Sequence, residues 1–419
     1  MKKKQNFNKW RRLDNTAKIF SLDHKNNTNI FRYSAVLKRK VEKSILIQAL
    51  RKTIDSFLAF KVKIGSGLFW EYLEYNNKEI FVEEERGVPC HKSNFKNNNK
   101  YLIKITYYKE KINMEVFHIL TDGVGASEFF KALVCNYIDI RYNKKKQNEY
   151  KNNKIDYKDR YLENYDKKIV LGRDAKFAYM LPGKIDRKTN NTYHYVLDIN
   201  EVKKICKDKE ISISQFITAV YGFSLYSVFY DSKCKKDIVI TVPIDLRRFC
   251  KCQTLSNFFT CMDINIGANS GKSITFDDVL DNVKRELKNK LTEEKVKEYL
   301  NRDVFLGMFF PIRIAPLFIK KIFMECMGGQ FCRTVTSTMS NVGFIDFGEE
   351  YNKHIDNVVV LVLPNRIQKI KCTMCSFSDK LSVTINSNID DLEFQKMFNS
   401  VLEKYLDKIK VISNVDDDN

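Results

Sequence analysis

The sequence is short of histidine, with five in 419 residues, and short of negative charge. It also has no long uninterrupted apolar run. The most apolar window is VFLGMFFPIRIAPLFIKKIF, Val304 to Phe323, and Arg313, Lys320, Lys321, Pro311 and Pro316 break it. A membrane-spanning helix needs about 20 predominantly apolar residues. This window is therefore expected to be a buried or amphipathic helix. The basic start, MKKKQNFNKWRRLDN, has no apolar stretch behind it and is not expected to be a signal peptide. The 72 Lys and Arg residues against 52 Asp and Glu give a formal net charge of +20. The excess is scattered along the chain rather than gathered in one arm. That distribution argues against nucleic acid and suits an anionic small-molecule partner rich in phosphate.

Regular cysteine spacing is lacking too. The eleven cysteines include Cys372 and Cys375 as C-x-x-C and Cys250 and Cys252 as C-x-C. Neither has the nearby second pair or histidine partners that a structural zinc site requires. Strand alternation puts Cys372 and Met374 on one face. No metal is expected, and the thiols are expected to be reduced in a cytoplasmic protein. Apolar content of 44% and aromatic content of 13% mark a globular chain. Its length suggests two domains of about 200 residues each.

Periodicity supplies the elements. IFRYSAVLKRK reads as a strand, and KSILIQALRKTIDSF as a helix with apolar residues every three to four positions. SGLFWEYLEYN reads as a strand, and KYLIKITYYKEKINMEVFHIL as a hairpin turning near Lys109 to Lys111. VGASEFFKALVCNYIDI follows as a helix whose buried face carries Phe129, Phe130, Leu133, Val134, Tyr137 and Ile138. The Lys-, Asn- and Tyr-rich stretch from Arg141 to Lys168 is a surface connection. NTYHYVLD is a strand, SISQFITAVYGFSLYSVFY a buried helix capped at Ser212 or Ser214, and DIVITVPIDL an inner strand. Late strands are NVVVLVL, KIKCTMCSF and KLSVTINSN, with DLEFQKMFNSVLEKYL as a closing helix. The expected class is α+β, with helices laid on largely antiparallel sheets in two halves. The boundaries are 1–165, a crossover at 166–189, and 190–419.

GANSGKS, Gly267 to Ser273, imitates a phosphate loop but has three residues between its glycines where that loop has four. Thr275 and Asp278 in the following TFDD read as a capping-box-like helix start.

In KINMEVFHIL the strand period puts Ile112, Met114, Val116 and His118 on one face. His118 ends an apolar stripe just before a turn at Thr121 to Gly123. Gly123, lacking a Cβ, permits a backbone conformation that Asp or Thr would resist. The residues alone leave three readings. His118 is a core histidine held by a backbone carbonyl, a metal ligand with Asp122 or Glu115, or a base.

The pattern H-x-x-x-D-G at a strand-to-helix junction resembles the chloramphenicol acetyltransferase-like superfamily of CoA-dependent acyltransferases, especially its alcohol acetyltransferase branch. WRRLDNTAKIF, GLFWEYLEYN, FHILTDGVGASEFF, AYMLPGK, VPIDLRR, LSNFFT and TVTSTMSNVGFIDF stand in the order of that branch. The resemblance implies two sandwich halves with a tunnel between them. It implies direct acyl transfer from acyl-CoA to an alcohol or amine, with His118 as general base. Asp122 would then brace the turn by pairing with an arginine, Arg247 or Arg248. Ser337, Ser340, Asn341 and Asn257 are candidates for the oxyanion donor or tunnel lining. Phe117 replaces the first histidine of the H-H-x-x-x-D-G form, which argues against a peptide-synthetase condensation domain, as does the lack of a carrier-protein module in this sequence. Two alternatives remain: a donor carried as a thioester on an acyl carrier protein, and a non-catalytic relative that binds a ligand or partner.

Overall fold

Alternation along IFRYSAVL and KINMEVF makes two neighbouring strands that are buried on both faces. Everything around His118 is built on them. The computed structural model describes residues 10–22, 29–91, 95, 98–144, 156–169, 176–185, 190–268, 272–308, 313–389 and 392–414. Its first large sheet has five strands in the order β12-β2-β7-β6-β5. These are β2 (Ile30–Leu37), β5 (Val82–Glu84), β6 (Ile103–Tyr108), β7 (Lys111–Phe117) and β12 (Ile355–Val362). The helices Lys43–Ser56 and Gly123–Arg141 share a core with this sheet. The six apolar residues expected on the inner face of the second helix are all buried.

The second large sheet has seven strands in the order β10-β9-β11-β13-β14-β8-β15. They are β8 (Asn191–Asp198), β9 (Val239–Asp245), β10 (Phe259–Asn265), β11 (Ser337–Phe344), β13 (Ile370–Phe377), β14 (Lys380–Ser387) and β15 (Ile409–Ser413). The helices Ile213–Phe229, Phe276–Lys290 and Glu393–Glu403 build a second core on one face of it. Ser212 caps the first of these with a full capping box through Gln215. Thr275 and Asp278 do the same for the second, so GKS precedes an ordinary helix start; residues 269–271 of GANSGKS lie outside the described residues. Most strand pairs are antiparallel; β11 runs parallel to both β9 and β13, and β5 parallel to β6. The class is α+β with mixed, mainly antiparallel sheets.

Strand β12 joins the two sheets. It comes from late in the chain, yet it pairs antiparallel with β2 and faces β13 and β14. Thr373 Oγ1 donates to Val360 O at 2.6 Å and Cys375 Sγ to Val358 O at 3.3 Å. Cys372 and Met374 face the core of the seven-stranded sheet, whereas Cys375 and Phe377 face the other core. The two cysteines of C-x-x-C thus point to opposite sides of one strand.

Three expectations need correction. GLFWEYLEYN is not one strand. β3 (Val62–Ser66) and β4 (Glu71–Tyr75) form a hairpin around it, and β1 (Trp10–Arg12) joins them as a three-stranded sheet. Gly67 N donates to Trp70 O at 3.0 Å and closes the tip. The chain after the closing helix adds the edge strand β15, which is short and mostly exposed and so carries little alternation. The apolar window 304–323 is not one buried or amphipathic helix. Residues 309–312 lie outside the described residues, and the helix Leu317–Phe331 turns large apolar side chains to solvent. Of the expected crossover, 170–175 and 186–189 also lie outside the described residues.

Candidate active site

His118 stands one residue beyond β7, and its backbone N–H donates to Asn29 O at 2.8 Å. Its ring is packed by Phe20, Phe31 and Phe259, with centroids 4.5, 4.9 and 5.4 Å away. Loss of water at this aromatic wall lowers its pKa below the ordinary histidine value, an effect that Asp122 and Asn257 oppose without cancelling. The imidazole is therefore neutral at pH 7.

Asn257 decides which nitrogen carries the proton. Its Nδ2 donates to Asp14 Oδ2 at 3.0 Å and to His118 O at 3.1 Å. The His118 carbonyl can only accept, so the amide orientation is fixed. Its Oδ1 then faces His118 Nδ1 at 3.0 Å, and Nδ1 must be the protonated atom. Nε2 keeps its lone pair. Asp14 was not singled out by sequence, although DNTA carries a helix-cap signal: Asp14 Oδ1 accepts from Ala17 N at 2.7 Å. Burial pushes the Asp14 carboxyl up to about 7, against the pull of Ala17 and Asn257.

Asp122 turns away from the imidazole. Its carboxylate receives Arg247 Nη2 at 2.9–3.0 Å, Phe258 N at 2.8 Å and Gly125 N at 3.1 Å. The last bond caps the Gly123–Arg141 helix. Arg247 also binds Asp245 and the carbonyls of Thr254 and Ser256. Burial lowers the guanidinium pKa, but Asp122 and Asp245 outweigh it and the net direction is upward. Arg248 is exposed and makes none of these bonds. Glu115 is buried on the other face of β7, where Arg32 holds it at 2.6 Å. Among the described residues no cluster of three metal-ligating side chains occurs.

Gly123 needs a different account from the one its sequence context suggested. It opens the helix and is not among the glycines with positive φ. A Cβ there would meet only Tyr33 Oη, at 3.4 Å. Gly125 is the tight position: a Cβ would lie 2.1 Å from Thr121 Oγ1 and 2.5 Å from Leu255 O. The turn between strand and helix is thus pressed against the backbone that carries Asn257.

A cavity of about 560 Å³ opens at His118, Asp122 and Gly123. It exists because β9 and β11 pair only at Ser337 with Ile240 and Thr338 with Thr241, then separate. Val242 to Asp245 line one side and Ser340 to Gly343 the other, with Arg248, Lys288 and the start of the Ile213–Phe229 helix at its edge. Ser340 and Asn341 reach the cavity. Asn341 Nδ2 donates to Ser214 Oγ at 2.7 Å. Ser337 does not reach it: the side chain is buried, bonded to Tyr221 Oη and donating to Ile370 O, both at 2.6 Å. Asn257 lies behind the imidazole rather than on the cavity wall.

No protein-family model and no curated protein sequence matches the chain. Solved structures do. TRI101 of F. graminearum, solved with coenzyme A and T-2 mycotoxin, superposes with a TM-score of 0.64 at 9% identity, covering 96% of this chain and 99% of that one. TRI3 trichothecene 15-O-acetyltransferase from Fusarium sporotrichioides gives 0.62 at 13% identity, with 94% of each chain covered. Polyketide synthase associated protein 5 from Mycobacterium tuberculosis gives 0.62 at 11% identity, covering 94% and 96%. The chain has the chloramphenicol acetyltransferase-like fold. At such identities the likeness carries the fold, and the chemistry has to be argued from this protein's own side chains.

Proposed function

We propose that this protein is an acyltransferase that moves an acyl group from acyl-CoA to a hydroxyl or amine of a small acceptor. The supporting observation is the state of His118: neutral, at the cavity wall, with Nδ1–H held by Asn257 and Nε2 left as a base. Nε2 takes the acceptor proton as the acceptor oxygen or nitrogen attacks the thioester carbonyl carbon. The C–S bond then breaks, and the CoA thiolate takes the proton back from Nε2. No covalent enzyme intermediate is needed, so the cysteines stay outside the chemistry.

The tetrahedral intermediate needs a donor for its oxyanion. Ser340 is the choice, since its hydroxyl has no partner among the described residues while Asn341 is engaged with Ser214. Arg248, Lys288 and the N-terminal end of the Ile213–Phe229 helix, all at the cavity edge, would receive the CoA phosphates. The reading has the cavity serve as the middle of a tunnel, with donor and acceptor entering from opposite mouths.

The test is thiol release from acetyl-CoA and longer acyl-CoAs against a panel of alcohols and amines, with mass spectrometry of the product. Acceptor-dependent release supports the reading. No release with any acyl-CoA overturns it, and turnover with acyl-carrier thioesters alone would assign a different donor.

A further inference from the structure

The first two turns of the helix Leu317–Phe331, residues 317–324, are packed the opposite way from an ordinary surface helix. Lys320 points inward and is 4% exposed, while Phe318, Ile319, Ile322 and Phe323 are 65%, 46%, 58% and 50% exposed. The Lys320 ammonium lies 3.6 Å from the Trp70 ring centre and donates to Phe69 O at 2.6 Å. Burial, with Lys18 nearby, draws its pKa down to about 8. The β3–β4 hairpin tip lies against this helix, since Leu317 N donates to Leu68 O at 2.9 Å. Leu68, 72% exposed, and Ile314, 55% exposed, extend the apolar surface. Exposed apolar groups scattered singly are normal, but four on one helix face beside an exposed hairpin-tip leucine need a cover.

The surroundings indicate which cover. A recess of about 340 Å³ beside the hairpin tip is lined by Trp10, Trp70 and Tyr72 with Arg12, Lys18 and Arg313. Its single carboxylate, Glu71, is already paired with Lys321 at 2.6 Å. The patch is thus apolar in the middle, aromatic and cationic at the rim, on a chain with a formal charge of +20. A second copy of the chain would bring like charge against like charge across a two-fold contact. A bilayer with anionic headgroups satisfies every part: apolar side chains enter the acyl boundary, Trp and Tyr sit at headgroup depth, and cations meet phosphates.

We infer that the first two turns of the Leu317–Phe331 helix and the β3–β4 hairpin tip form a docking face for the surface of an anionic phospholipid bilayer, with the Trp10–Trp70 recess receiving an anionic headgroup. The docking proposed is peripheral: among the described residues no single helix is long and apolar enough to cross a membrane. The face lies close to the chemistry. Lys18 faces Trp70 and Phe20 packs against His118, both from the single helix Asn15–Leu22.

Co-sedimentation of the full chain with vesicles tests this without any assay of transfer. Vesicles of phosphatidylcholine with phosphatidylserine are expected to bind the protein, and phosphatidylcholine alone about tenfold less. The double variant Phe318→Asp/Ile322→Asp is expected to bind anionic vesicles at least about tenfold less, with near-UV circular dichroism unchanged. Phe318→Ser/Ile322→Ser serves if the charged pair disturbs folding. Absence of wild-type binding to anionic vesicles, or equal binding by a folded variant, overturns the proposal. So does a wild-type dimer that the variant converts to monomer, since that would make a second copy the cover.

Discussion

Asn257 is the residue on which the reading of His118 turns. Its carbonyl holds Nδ1–H and favours the charged imidazolium over the neutral ring, though less than burial opposes it. Asn257→Ala should lower kcat about a hundredfold through lost ring orientation. The acid limb of the pH–rate profile already lies below the ordinary histidine value of about 6.5, and the variant should move it lower still. A fall in rate with an unmoved acid limb would leave Asn257 as a merely structural amide.

Asp14, behind it, gives a stability prediction. Its folded pKa of about 7 lies above the unfolded value near 3.8. Between these values the native state binds the extra proton, so this carboxyl makes stability fall as pH rises through the window, by up to about 1.4 kcal/mol per pH unit. Above pH 7 the penalty is constant. His118 has the opposite sign, because its lowered pKa makes stability fall as pH drops below about 6.5. The difference between wild type and Asp14→Asn in urea unfolding isolates the Asp14 part. It should decline from pH 4 to 7 and then level off. A flat difference would mean that Asp14 titrates normally.

At the scale of elements, the strand–turn–helix unit around His118 is held by close contact. Gly125→Ala must displace both the Thr121 side chain and the Leu255 backbone and should cost about 3 kcal/mol. Gly123→Ala meets only a hydroxyl at 3.4 Å and should cost under about 1 kcal/mol. Equal losses in thermal unfolding would refute this contrast. The strand and helix that flank His118 were legible because β7 and the following helix have clean periods of two and 3.6 residues. Sequence chose the wrong glycine as the constrained one because the backbone part of the constraint comes from Leu255, 130 residues away. It named Asn257 without its partner, and passed over Asp14, for the same reason: contacts across such separations leave no local pattern. The start of the Leu317–Phe331 helix was misread because apolar content predicts burial, and here Lys320 is buried while Phe318, Ile319, Ile322 and Phe323 are exposed.

At the scale of the whole molecule, Asp122 and Arg247 tie the two large sheets together beside the site. Asp122 begins the helix on the five-stranded sheet, and Arg247 follows β9 of the seven-stranded one. Asp122→Asn removes the buried charge partner while Asp245 still faces Nη1. A loss of about 3 kcal/mol is expected, at the low end for a broken buried pair, together with a fall in transfer rate. Loss of rate with unchanged unfolding would show that Asp122 acts on the chemistry instead.

The central claim is that His118 is the base. Its most direct test is acceptor-dependent thiol release from acyl-CoA by wild type and His118→Ala at equal concentration, both shown to be folded. The account predicts a kcat/KM lower by about a hundredfold or more in the variant, with intact unfolding behaviour. Equal rates in the two proteins would contradict it.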